Sequence, residues 1–185
     1  MSEPLTDYSA RVLCLGHEVT AITIIDGLLR LQNTRDHKKP ITLYVVGTTN
    51  STPPLPLGDA IAICSVIRSL QSPVATIGMG LIQPTQALVL AAGTGKRWLL
   101  KHSLVHLAPM QGLPRLNLGF NGLAQQKNIF ETQFEALLVE LKLSPSLFQN
   151  EQHFDAGQAI KNNFADGIVH DAIRSENKTA LYERR

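Results

Sequence analysis

At 185 residues, with 44% hydrophobic and 17% charged side chains, the chain has the length and composition of one folded domain with a substantial core. A formal net charge of +2, with no Lys/Arg cluster interleaved with aromatics, argues against nucleic acid as a partner. No apolar run approaches the length of a membrane span and residues 1–6 carry no targeting signal, so the chain reads as soluble, although a transit peptide removed ahead of it would leave no trace.

Residues 1–10 are polar and include Pro4. Segment 11–15 alternates enough to be a strand and stops at Gly16; 17–32 then places Val19, Ile22, Ile25, Leu28 and Leu29 at helical spacing. The run Arg35, Asp36, His37, Lys38 and Lys39 reads as a solvated turn, and 41–46 is a β-branched apolar strand suited to burial in a sheet. Loop 47–57 is dense in Thr, Ser and Pro and should be irregular and exposed. A helix over 57–70 has Ile61, Val66, Ile67 and Leu70 as its expected inward set. Cys14 and Cys64 have no metal-ligand spacing around them and read as core thiols in a reducing compartment.

The centre of the chain is 76–112. It reads as a short buried strand (74–78), a Gly-containing bend, a small-residue apolar helix ending at Gly93, and a strand pair over 96–107. Strand, glycine bend and helix start is the order in which hydrolases hold a nucleophile, because the sharp turn exposes one side chain beside free backbone N–H groups. At that turn stands Pro84, a residue well suited to the first turn of a helix. The longest periodic helix follows at 121–143, with Leu123, Phe130, Phe134, Leu137, Leu138 and Leu141 on one stripe, Asn121 as N-cap and Ser144-Pro145 as the stop. By pattern alone it is an ordinary core-facing amphipathic helix. Two short helical stretches in 144–165 and a last strand at 168–173 complete the reading. His153 and His170 have no partner pattern for metal, and the charged tail 174–185 should fray. Strands alternating with helices argue for α/β units joined by right-handed crossovers.

T-I-G-M-G, A-L-V-L-A-A-G, G-K-R and L-V-H-L-A-P, with R-V-L-C-L-G at 11–16, I-T-L-Y-V-V at 41–46 and Q-A-I-K-N-N-F-A-D-G-I-V near the end, resemble the Clp-type serine protease family. The resemblance runs from about residue 11 to residue 173. It implies one ClpP/crotonase-like α/β domain, a spiral of β-α units with a long protruding handle helix. Its parts would be a short extension (1–10) in place of the family's longer pore loops, a head (11–112), a handle strand and helix (113–143), head completion (144–173) and the tail. The handle stripe, Leu123 to Leu141, would be an oligomer interface where two rings interlock. Residues 113–120 would be the strand at the ring-to-ring contact.

Aligned on the family motifs, the serine position falls on Pro84, the histidine position on Ala108 and the aspartate position on Gln152. A triad needs a hydroxyl to attack, an imidazole to take its proton and a carboxylate to orient the imidazole. Proline, alanine and glutamine supply none of these. The Gly-Gly that would follow L-Y-V-V is replaced by a Thr/Pro-rich loop, and prolines have no N–H for an oxyanion. His106 shares the strand face of Ala108 but stands about 6–7 Å away along the strand. Thr85 projects about a quarter-turn from the nucleophile position. The resemblance therefore implies a non-catalytic, ClpR-like subunit without cofactor or metal. Its partners would be active ClpP-type and other ClpR-type subunits in a tetradecameric core and an AAA+ unfoldase, in plastid stroma or cyanobacterial cytoplasm. A divergent hydrolase or crotonase-like acyl-CoA enzyme, and a stand-alone binding module, are the competing readings.

Overall fold

Strand and helix alternate through the first half of the chain because short apolar runs are closed by glycines, at Gly16, Gly47 and Gly80, ahead of each next helix. The computed structural model describes residues 7–16, 19–34, 38–47, 55–109 and 120–169, the side chains within 120–130 excepted. The strands are β1 Val12–Leu15, β2 Ile41–Val46, β3 Val74–Met79, β4 Leu81–Ile82, β5 Arg97–Leu99, β6 Leu104–Leu107, β7 Gln152–Asp155 and β8 Gly167–Ile168. The helices are α1 Ala21–Gln32, α2 Leu57–Ser69, α3 Pro84–Ala91, α4 Phe120–Leu141 and α5 Ala156–Lys161, with a 3-10 turn at Pro145–Phe148. The expectations for residues 1–6, 48–54 and 113–119, for His170 and for the tail lie outside the described residues.

Two sheets result. The larger has five parallel strands in the order β1-β2-β3-β5-β8; the smaller has the order β4-β6-β7, with β6 parallel to β4 and antiparallel to β7. The expected strand pair over 96–107 is corrected here. β5 pairs with β3 and β8 in the large sheet, whereas β6 pairs with β4 in the small one, so the chain changes sheets at residues 100–103. β7 lies in a stretch expected to hold only short helices.

Among the described residues, helices cover one face of the large sheet. In β2, Ile41, Leu43 and Val45 are fully buried while Thr42, Tyr44 and Val46 are only partly buried, and β1 and β3 alternate in the same way. Helices α1, α2 and α3 touch in succession and form the covering layer. α1 starts where Thr20 accepts from the Thr23 N–H, and it buries Ala21, Ile24, Leu28 and Leu31. Its orientation corrects the expected stripe, because Ile22 is 75% and Leu29 44% exposed. α2 likewise buries Ala60, Ile63, Cys64 and Ile67, while Ile61, Val66 and Leu70 pack only partly against the core. α3 is the innermost helix, with every residue from Thr85 to Ala91 buried. Thr76, buried in β3, donates to the Leu90 carbonyl at 2.7 Å and ties sheet to helix.

α4 and α5 end alike. Lys142 and Asn163 adopt left-handed φ of 57° and 65°. The next N–H in each case reaches back five residues, Leu143 to Leu138 at 2.9 Å and Phe164 to Ala159 at 3.0 Å. These are Schellman closures, and the residue just beyond each turns inward. Phe164 is fully buried as a result, with Phe148 and Phe154 packed around it.

Arg97 and Asp166 join β5 to the end of the chain's core. The Arg97 N–H donates to Asp166 Oδ2 at 2.8 Å, and its guanidinium holds Asp166 Oδ1 and the Asn163 carbonyl. Burial pushes the Asp166 carboxyl up, but the bonds and charge of Arg97 outweigh it and hold the group below its ordinary 3.8. A depressed carboxylate stabilises the fold above its unfolded value and loses that contribution as pH falls through the folded one. Wild type should therefore lose denaturant resistance on acidification to about pH 3 more steeply than Asp166→Asn. Parallel curves for the two proteins would show that the pair does not contribute.

Candidate functional site

Gly80 ends β3 with φ of 75°, and a Cβ there would meet the Gly47 carbonyl oxygen at 3.2 Å. The bend turns the chain from the large sheet into β4, and α3 begins two residues after β4 ends. β6 runs beside β4 with Leu81 opposite Leu104 and Ile82 opposite Val105. β7 returns along β6 with His106 opposite His153 and Leu107 opposite Gln152. Pro84 at the start of α3, Ala108 just after β6 and Gln152 at the start of β7 are thus brought to one corner from three distant parts of the sequence.

Pro84 occupies the first helical position, where its missing N–H breaks no bond. Three glutamine amides stand at this corner. Gln83 and Gln86 form a capping box in which the Gln83 N–H donates to Gln86 Oε1 at 3.0 Å. The Gln86 amide nitrogen continues to the Val46 carbonyl at the end of β2, at 3.1 Å. Gln152 donates to the Leu147 carbonyl at 2.6 Å. None of these side chains can accept a proton at neutral pH or act as a nucleophile.

His106 is the one imidazole at this corner among the described residues that reaches α3. Its Nδ1 lies 3.1 Å from Gln83 Oε1, so with the amide oxygen as acceptor the hydrogen sits on Nδ1. Nε2 lies 3.3 Å from Glu151 Oε1 but off the line a hydrogen bond requires. The ring stacks on His153 with centroids 4.6 Å apart. His106 therefore serves Gln83, and among the described residues Thr85 Oγ1 is buried with no hydrogen-bond partner, so the two are not joined as nucleophile and base there. The thiols are poor nucleophiles as well. Burial raises Cys14, and burial together with the Glu140 charge pushes Cys64 up to about 12.

Sequence reasoning missed Gln83 and Gln86, since an isolated glutamine carries no motif; only the reciprocal spacing of a capping box could have singled them out. The Gln83–His106 contact joins α3 to β6 one residue before Pro84 and two before Ala108. A double-mutant cycle of Gln83→Ala and His106→Ala should return a coupling of about 0.5–1.5 kcal/mol. Strict additivity in urea unfolding would mean that the contact contributes nothing.

The handle stripe divides. Leu137, Leu138 and Leu141 are buried in the chain's own core, and Phe134 is half-buried edge-on to Phe148. Leu123 and Phe130 lie where only the helical backbone is described. Asn121 falls inside α4, which begins at Phe120, and so does not cap it.

A crossover α/β spiral in which a glycine bend aims a helix start at the ends of further strands is the ClpP/crotonase class of fold. The chain belongs to the Clp protease family, whose profile matches residues 7–138. It is 36% identical over 110 residues to the ATP-dependent Clp protease proteolytic subunit 3 of Synechococcus sp. (strain CC9605), covering 57% of this chain and 52% of that protein. To the proteolytic subunit 2 of Prochlorococcus marinus (strain MIT 9312) it is 37% identical over 99 residues, covering 51% and 46%. The chain thus spans about half the length of the curated relatives it matches. Among solved structures, a peptidase from Plasmodium falciparum superposes with a TM-score of 0.72 at 22% identity, covering 87% of this chain and 96% of that one. A second crystal structure, described only as an enzyme, does so with the same score and identity over 89% and 98%. At this identity the likeness speaks for the fold.

Proposed function

We propose that this chain is a non-catalytic, ClpR-type structural subunit of a hetero-oligomeric two-ring Clp protease core, acting in assembly and in unfoldase docking. The observation that carries the reading is the chemistry at the corner just described. Pro84, Ala108 and Gln152 offer no hydroxyl, imidazole or carboxylate where attack, proton transfer and orientation would be needed. The fold supports ring building, since closure depends on complementary faces and makes no demand on the chemistry of each subunit. The partly buried sheet face, with Tyr44, Ile77, Met79 and Trp98, and the outward Ile22 and Leu29 of α1 supply apolar surface for neighbouring subunits and for an AAA+ unfoldase. The partners in this reading are triad-bearing ClpP-type subunits and other ClpR-type subunits in a tetradecamer. The setting is plastid stroma, or cytoplasm if the source is a cyanobacterium.

The test is native mass spectrometry of the complex recovered through a tag on this chain, with a fluorophosphonate probe applied to the same material. The expected result is a tetradecamer-sized barrel in which the probe labels the partner subunits and leaves this chain unlabelled. Labelling of this chain would sink the non-catalytic role. A monomer or a homo-oligomer without triad-bearing partners would sink the structural role.

A further inference from the structure

We draw no further inference here: the strongest candidate, the open cleft of about 440 Å³ where α2, α3 and α4 end, has Arg97 held by Asp166 and Asn163 and Arg68 held by Glu140, and nothing in the structure shows what would occupy it.

Discussion

Replacing Gly47 by alanine is expected to remove most of the chain's folding stability. Gly47 leaves β2 directly against the β3–β4 bend, where its N–H donates to the Met79 carbonyl at 2.7 Å. A Cβ at this position would overlap the carbonyl group of Leu81 and stand 2.6 Å from the Ile82 nitrogen. These are backbone atoms, so no rotamer change relieves the contact; either β2 or β4 must move, and both are held in sheets. The cost should exceed about 4 kcal/mol, in the exceptional range for a single substitution. Equilibrium unfolding in urea measures it, and a loss below about 1 kcal/mol would show that the bend can open without disturbing the core. The substitution also tests the site, because β4 and the start of α3 are aimed by that bend.

Arg11→Met should be nearly as damaging, for an electrostatic reason. Arg11 is only 6% exposed, and among the described residues its guanidinium faces oxygens without a carboxylate. It donates to the Leu31 carbonyl at 2.9 Å, Thr34 Oγ1 at 2.7 Å, the Lys39 carbonyl at 3.2 Å, the Pro40 carbonyl at 3.4 Å and Ser72 Oγ at 3.1 Å. The cation thus satisfies the last turn of α1, where the helix dipole is negative, and gathers the loops at the near ends of β2 and β3. Methionine keeps the stem and abandons the acceptors, at an expected cost of about 3–5 kcal/mol. Arg11→Lys should recover less than half, because an ammonium has three donors and cannot reach five acceptors in a planar fan. Equal unfolding midpoints for wild type and Arg11→Met would remove the argument.

The sequence was most readable where the determinants are local. The strand predicted over 41–46 is β2 to the residue, since a β-branched run between Pro40 and Gly47 has little else to become. The helix predicted over 17–32 begins instead at Ala21, where the Thr20 side chain caps it. Orientation was harder. α1 has apolar residues on more than one side, so spacing alone could not say that Ile24 and Leu31 would turn inward and Ile22 and Leu29 outward. Long-range pairing was hardest: Gln-His-Phe-Asp contains one apolar residue and becomes β7 only because β6 lies beside it. The strand pair expected over 96–107 is not formed, because parallel partners from elsewhere in the chain claim each strand. At the corner, motif alignment pointed to Pro84, Ala108 and Gln152. The amide network around them was not, because its partners are distant in sequence and chemically unremarked.

The single-sided cover of the large sheet has a consequence for the lifetime of the lone chain. Among the described residues, Tyr44, Ile77, Met79 and Trp98 on the other face stay partly exposed, so their apolar burial is incomplete. Whatever binds that face adds stability in proportion to RT ln(1 + [L]/Kd), so the melting temperature becomes a function of concentration. In the ring-subunit reading proposed above, chains made in excess of their partners would populate open states more often and be cleared sooner by proteases. Abundance would then follow stoichiometry through stability and proteolysis together.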